Sequence, residues 1–227
     1  MKFVKTKNIS QLLNPESSAN SIAYFFVDLP SYCLYLTDEE FKSTIDSLNI
    51  FIYADGYYAF KFLQKYGANY YTGPQFFKDS MSLHYKGIIL GPSVIDFDVF
   101  NEKLELLNAN ATFDNISLPF VRTVNEIDIN NLIEKLILLD AKNIFVVLGG
   151  GKQEKLIIKL LNDQRLIGYN FFGIGAAFNF LIGKELKAPN YIIRLRAEWL
   201  FRLLLSPKKQ YIKYLWILKA IPKLMRK

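Results

Sequence analysis

Two apolar runs that each empty into a glycine-rich turn constrain this chain more than any other feature. The first, Ile144-Phe145-Val146-Val147-Leu148, is continuous enough to fill a parallel strand buried on both faces. It meets Gly149-Gly150-Gly151-Lys152-Gln153-Glu154, after which residues 155–161 show helical apolar spacing. The second, residues 169–174, opens into Gly175-Ala176-Ala177-Phe178-Asn179-Phe180. Glycine between a strand and a helix lets the backbone approach a ligand, and the free N–H groups of a helix start favour an anion. In an open α/β sheet both turns lie at the carboxyl ends of the strands, where ligands bind. Ordinary βα loops use glycine too, so a phosphate cradle and a plain turn both stay open on this spacing alone.

Strand-like and helical segments alternate through the rest of the chain. Residues 22–29 read as a strand that Pro30 ends. Thr37 as N-cap, with Glu40 completing a capping box, predicts a helix through Phe41, Ile45 and Leu48. Residues 50–53 form the next strand and run into Ala54-Asp55-Gly56. A helix over 57–66 follows, closed by Gly67. Asp55 is either a carboxylate on the ligand edge of the sheet or the opening of an Asp-Gly turn. An extended piece at 70–73, strands at 86–91 and 111–113, helices at 96–108 and 128–139 and a loop at 118–121 complete the body. Residues 14–18 read as a loop. Asp96-Phe97-Asp98 has the spacing of a metal-binding carboxylate pair but is read as a helix start, where acids are favoured. The alternation predicts an α/β fold, a Rossmann-like and mostly parallel sheet with helices on both faces, over residues 1–189. A basic helical appendage follows at 190–227.

Composition removes several classes of function. His84 is the single histidine, so a zinc site or a histidine-dependent nucleophile would have to be built on that residue. One cysteine, Cys33, excludes an internal disulfide and suits a reducing compartment. The first residues lack the apolar core of a secretory signal, and no uncharged apolar run reaches the length of about 18 that a membrane span needs. The net charge of +7 is divided: residues 184–227 hold twelve Lys and Arg against Glu185 and Glu198, while the preceding residues are mildly acidic. In that tail Trp199, Tyr211, Tyr214 and Trp216 stand among cations, which suits a membrane interface with anionic lipid. A hairpin packed on the body and a nucleic-acid surface are the other readings. No recognised motif accompanies the charge, so no nucleic-acid partner is expected.

Together these stretches resemble the WecG/TagA/CpsF glycosyltransferases, bacterial enzymes of cell-surface polymer synthesis. The likeness is carried by Ala54-Asp55-Gly56, by Gly149 through Gln153-Glu154 and by Gly173 through Gly183. It continues through Lys187-Ala188-Pro189 and Glu198-Trp199-Leu200-Phe201-Arg202-Leu203 to Ser206-Pro207-Lys208. Four departures mark the chain as divergent. Asp28-Leu29-Pro30 replaces a Thr-Leu-Asn segment, and Tyr70 stands where the family often has Arg. Asn179 replaces Asp within Phe178-Asn179-Phe180, and Lys187 replaces Arg before Ala188-Pro189.

The resemblance implies inverting transfer of an N-acetylmannosamine-type sugar, or a related hexose, from UDP to a polyprenyl-diphosphate-linked acceptor. It implies no metal and no cofactor. Asp55 is then the base, and Gly149, Gly150, Gly151, Lys152, Gln153, Glu154, Gly175 and Asn179 are the candidates to hold the nucleotide sugar. Arg194, Arg196, Arg202, Lys208 and Lys209 face the acceptor diphosphate or the membrane. Glu198 and Arg202, four apart on a helix, also form a plain structural pair. The expected location is cytoplasmic, peripheral on the inner face of the cell membrane, and a homo-oligomer stays open. The alternative is a non-catalytic nucleotide-sugar-binding regulator or scaffold of a membrane polysaccharide complex.

Overall fold

The computed structural model describes residues 2–4, 8–13, 20–119, 123–149 and 151–225, without the side chains of 209 and 212. The expected loop at 14–18, the end of the 118–121 loop, Gly150 and the Lys209 side chain lie outside the described residues. The strands are β1 (Lys2–Phe3), β2 (Ile22–Val27), β3 (Ile50–Ala54), β4 (Lys86–Gly91), β5 (Thr112–Ser117), β6 (Asn143–Val146) and β7 (Asn170–Gly173). They make one sheet in the order β1-β3-β2-β7-β6-β4-β5, parallel at every pairing. The helices are α1 (Ile9–Leu13), α2 (Leu29–Thr37), α3 (Glu39–Ser47), α4 (Tyr57–Leu63), α5 (Gly73–Ser80) and α6 (Val94–Leu106). After these come α7 (Ile129–Leu138), α8 (Lys152–Leu161), α9 (Ala177–Leu181), α10 (Asn190–Arg194), α11 (Glu198–Leu205) and α12 (Pro207–Met225).

Alternation along each strand feeds two cores, one per face. Phe25, Val27, Ile50, Ile52, Ile144 and Phe171 point toward Tyr32 of α2, Ile45 of α3, Ile133 of α7 and Ile157 of α8. Tyr24, Phe26, Tyr53, Phe145 and Phe172 point the other way, toward Leu12 of α1, Phe76 of α5, Phe100 of α6 and Phe178 of α9. Helices therefore cover both faces, as the α/β reading expects. The second core is a stack of rings: Phe76 sits 5.0 Å from Phe172, and Phe172 5.0 Å from Phe145 and 5.2 Å from Tyr24, centroid to centroid. Such offset aromatic pairs add cohesion beyond their buried area.

Local readings near prolines needed correction. Pro30 does not end β2; it lies in the first turn of α2, where its missing N–H costs nothing and Asp28 is the cap. Thr37 is the last residue of α2, and Asp38 caps α3 by accepting from the Phe41 amide at 2.9 Å. The extended piece expected at 70–73 stops at Thr72, which caps α5 (73–80), with Pro74 in the first turn. Asp96 belongs to the first turn of α6, as expected of a helix start, and pairs with Lys184 at 2.5 Å. The stretch 191–205 is two helices, because Arg196 adopts a left-handed φ of 59° between them.

Helix α12 packs along α2 and runs in the same direction. Lys213 meets Asp28 at the start of α2, and Lys223 meets the Leu36 carbonyl at 2.6 Å near its end. Ala220 is buried between them, and Lys223 also pairs with Glu39 at 3.1 Å. Part of the basic tail is thus a packed helix whose lysines are tied to the body.

Candidate active site

Strand register brings two carboxylates together. Val27 of β2 lies opposite Ala54 of β3, and the Asp55 amide donates to the Val27 carbonyl at 2.9 Å. The next residue of each strand is an aspartate, so Asp28 and Asp55 stand one strand spacing apart, about 4.8 Å along the sheet.

Each aspartate is held differently. One oxygen of Asp28 accepts from the Ser31 amide and hydroxyl at 2.9 and 2.6 Å, and the other from the Lys213 ammonium at 3.0 Å. Burial pushes the Asp28 carboxyl up, but Lys213 and the two Ser31 donors outweigh it and hold the group below the usual carboxylate range. Asp55 has weaker support: one oxygen accepts from the Gly73 amide at 3.3 Å, where α5 begins. Burial first, and then the charge on Asp28, push its carboxyl up to about 7. The Arg202 guanidinium and the Gly73 amide oppose that, and Glu198 adds a smaller push upward. A carboxylate poised near neutral pH is equipped to take a proton from a hydroxyl. Tyr70, bridged to Ala54 and 43% exposed, borders the same carboxylates. Burial, then Asp55 and Glu198, raise its phenol.

The glycine turns lie beside these aspartates. β3, β2, β7 and β6 are consecutive in the sheet, so Asp55, Asp28, Gly175 and Gly151 follow the carboxyl ends of four neighbouring strands. Gly151 caps α8 at a φ of 76°, a conformation that a side chain resists, and Lys152 is the first helical residue. Gln153 is buried under the second turn. Its Nε2 donates to Glu154 Oε1 at 2.9 Å and to the Gly173 carbonyl at 3.4 Å. A Cβ on Gly175, where φ is 53°, would lie 3.4 Å from Gln153 Oε1, so the turn rests on that amide. Gln153 Oε1 and Glu154 Oε2 are buried without a hydrogen-bond partner among the described residues. Burial raises the Glu154 carboxyl, against the Gln153 amide. Two buried acceptors without donors, at a helix start, call for a donor that an ordered water or a ligand can supply.

The other expected residues divide. Gly149 is exposed at the turn. Asn179, on α9, turns its amide to Glu185 at 3.4 Å, which keeps it in a local contact. Arg202 faces the aspartates while its guanidinium holds Glu198 at 2.6 Å, so the structural pairing expected for these two is present. Arg196 stacks on Tyr57, with its guanidinium 3.9 Å from the ring centroid, and donates to the Tyr57 hydroxyl at 2.7 Å, one residue past Gly56. Arg194 and Lys208 are exposed, away from these contacts.

Two residues escaped sequence reasoning as site residues. Asp28 carried a signal, since Asp followed by Leu-Pro is a helix cap and the strand before it pairs with the one ending at Asp55. Lys213 carried none, being one lysine of many, 185 positions away.

A 65-residue segment is 38% identical to the N-acetylglucosaminyldiphosphoundecaprenol N-acetyl-beta-D-mannosaminyltransferase of Bacillus subtilis (strain 168). The match covers 28% of this chain and 24% of that protein, about a quarter of the relative's length. Residues 6–227 match the Glycosyl transferase WecG/TagA/CpsF family, and the chain belongs to that family.

Proposed function

We propose that this chain moves an N-acetylmannosamine-type sugar, or a related hexose, from a UDP donor to a polyprenyl-diphosphate-linked sugar, inverting the anomeric centre. The observation that carries the reading is Asp55, a strand-end carboxylate pushed up to about 7 beside the glycine turns. In the reaction Asp55 takes the proton of the acceptor hydroxyl as that oxygen bonds to the anomeric carbon. The bond from that carbon to the UDP oxygen breaks, and UDP leaves with the electron pair. The amides of the 149–151 turn, the start of α8 and Lys152 meet the diphosphate, where negative charge is favoured. Gln153 Oε1 and Glu154 Oε2 accept from the nucleoside. Gly175 leaves room at the sugar end, and Asn179 reaches it by releasing Glu185. Arg202 and Arg196 lie on the acceptor side.

UDP added to the purified chain is expected to raise its melting temperature, because a ligand of the folded state stabilises it. Gln153→Met keeps the volume and removes the free acceptor. It is expected to weaken UDP binding about tenfold, the worth of one buried hydrogen bond of about 1.4 kcal/mol. An unchanged Kd by calorimetry returns the 149–151 turn to plain turn chemistry. UDP binding without transfer from any UDP-hexose would favour the scaffold reading instead.

The acceptor in this reading sits in a membrane. Among the described residues no helix is long and apolar enough to cross one. Tyr191, Leu195, Trp199, Leu204 and Tyr211 are nonetheless exposed, close in sequence to Arg194 and Lys208. We place this surface on the anionic inner face of the cell membrane, with apolar side chains entering the headgroup region. The double variant Leu195→Glu, Leu204→Glu is expected to lose most of its sedimentation with phosphatidylglycerol vesicles and to keep UDP affinity. Raising salt toward 0.1 M, where charges are screened over about 10 Å, should release part of the parent chain as well. A parent chain that ignores such vesicles at low salt would end the membrane placement.

A further inference from the structure

β2 and β3 set two aspartates side by side, and the far end of the chain counters one of them. Lys213 and Asp28 are joined at 3.0 Å with side chains only 24% and 29% exposed, which separates this contact from the surface ion pairs elsewhere. Two ionised carboxylates one strand apart repel, so without a counter-charge one of them keeps its proton. Among the described residues, the groups that face Asp55 bear on that balance. They are Asp28 beyond β2, Arg202 and Glu198 on α11, Tyr70 beside β3 and the Gly73 amide of α5. Glu154 of α8, Lys213 of α12, Arg202 of α11 and Cys33 of α2 face Asp28 in turn. Arg202 holds Glu198 at 2.6 Å and acts on both aspartates through space, while Lys213 is hydrogen-bonded to Asp28 itself.

We propose that Lys213 is a positioning residue for the transfer: by neutralising Asp28 it allows Asp55, on the adjacent strand, to give up its proton and act as base. This rests on the reading of Asp55 given above. Since Lys213 rides on α12, the base is competent while α12 lies seated on α2, and the position of that helix is written into the charge of the site.

The test follows the upper titration of the Asp28–Asp55 pair by NMR of chain labelled with carboxyl-13C aspartate, with Asp55→Asn and Asp28→Asn identifying the signals. Lys213→Met is expected to move the midpoint upward by about one pH unit or more, the usual effect of losing a close opposite charge. The acid limb of the transfer rate should move with it. Adding Asp28→Asn to Lys213→Met removes the second charge and is expected to bring the midpoint back to the parent value or below, while the Asn oxygen still caps α2. Should Lys213→Met fail to fold, Lys213→Gln, whose amide still donates to Asp28 without a charge, takes its place, and its midpoint must rise. An unmoved midpoint in Lys213→Met, or in Lys213→Gln where only that variant folds, overturns the proposal. The two readings separate cleanly: a parent chain without transfer but with a Lys213-dependent midpoint supports the charge coupling and ends the transferase reading. An active chain with an unmoved midpoint removes only the role of Lys213.

Discussion

Asp55→Asn is expected to lower transfer by about 100-fold or more, the weight of a positioned base, with fold and UDP binding intact. Asn has the size of Asp, and its oxygen can keep the bond from the Gly73 amide. The pH dependence separates loss of a base from general damage. In the parent, the rate should fall as pH drops through about 7, where the Asp55 carboxyl becomes protonated. The residual rate of the Asn variant should lack that limb. Stability runs in the opposite sense. The unfolded chain ionises this group near pH ~4 and the folded chain only near 7, so folding takes up a proton between those values. On account of Asp55, stability therefore falls as pH rises from about 4 to about 7 and stays lower above that. Asn removes this slope, so above neutral pH the variant should melt no lower than the parent. A rate within threefold of the parent at pH 8 would take Asp55 out of the mechanism.

Phe76→Ala is expected to cost about 3–5 kcal/mol, the usual range for emptying a buried aromatic site. The ring is fully buried on α5, with centroids 4.9 Å from Phe26, 5.0 Å from Phe172 and 5.8 Å from Tyr71. It therefore links α5 to β2 and β7 from one point, and the surrounding rings are too rigid to close the void. Phe76→Leu, which keeps more of the volume, should cost markedly less. A urea titration measures both. The same helix begins at Gly73, whose amide supports Asp55, so the Ala variant should also lose transfer activity at temperatures where it is still folded. If the urea midpoint of Phe76→Ala stays at the parent value, the ring stack is not the cohesive unit of this face.

The sheet was legible because its strands announce themselves: Ile50-Phe51-Ile52-Tyr53 and Ile144-Phe145-Val146 are apolar on both faces, as only a covered parallel sheet requires. The positions of Asp55 and Gly151, past the carboxyl ends of β3 and β6, were legible for the same reason. α5 was not, because Gly73-Pro74-Gln75 looks like a turn until Thr72 is seen to cap it. Nor was the break at Arg196, an arginine in a left-handed conformation that no local preference predicts. Gln153 was named as a ligand contact, whereas most of its amide is spent on Glu154 and Gly173 and only one oxygen stays open. The partnership of Asp28 with Lys213 depends on how α12 settles on α2, a tertiary fact with no periodicity or spacing to betray it.

That partnership spans 185 positions, which matters for how the protein is made. Chains leave the ribosome from the amino end and begin to fold as they emerge. Every strand of the described sheet precedes residue 174, so the strands that carry both aspartates emerge ahead of α12. During that interval the nascent protein carries an uncountered acidic pair and an unfilled face along α2. Bringing together groups so distant in sequence is slow relative to local contacts, so α12 docks on α2 after β2 and β3 have paired. A chain cut short before α12 would keep every described strand and lack the cation that pairs with Asp28.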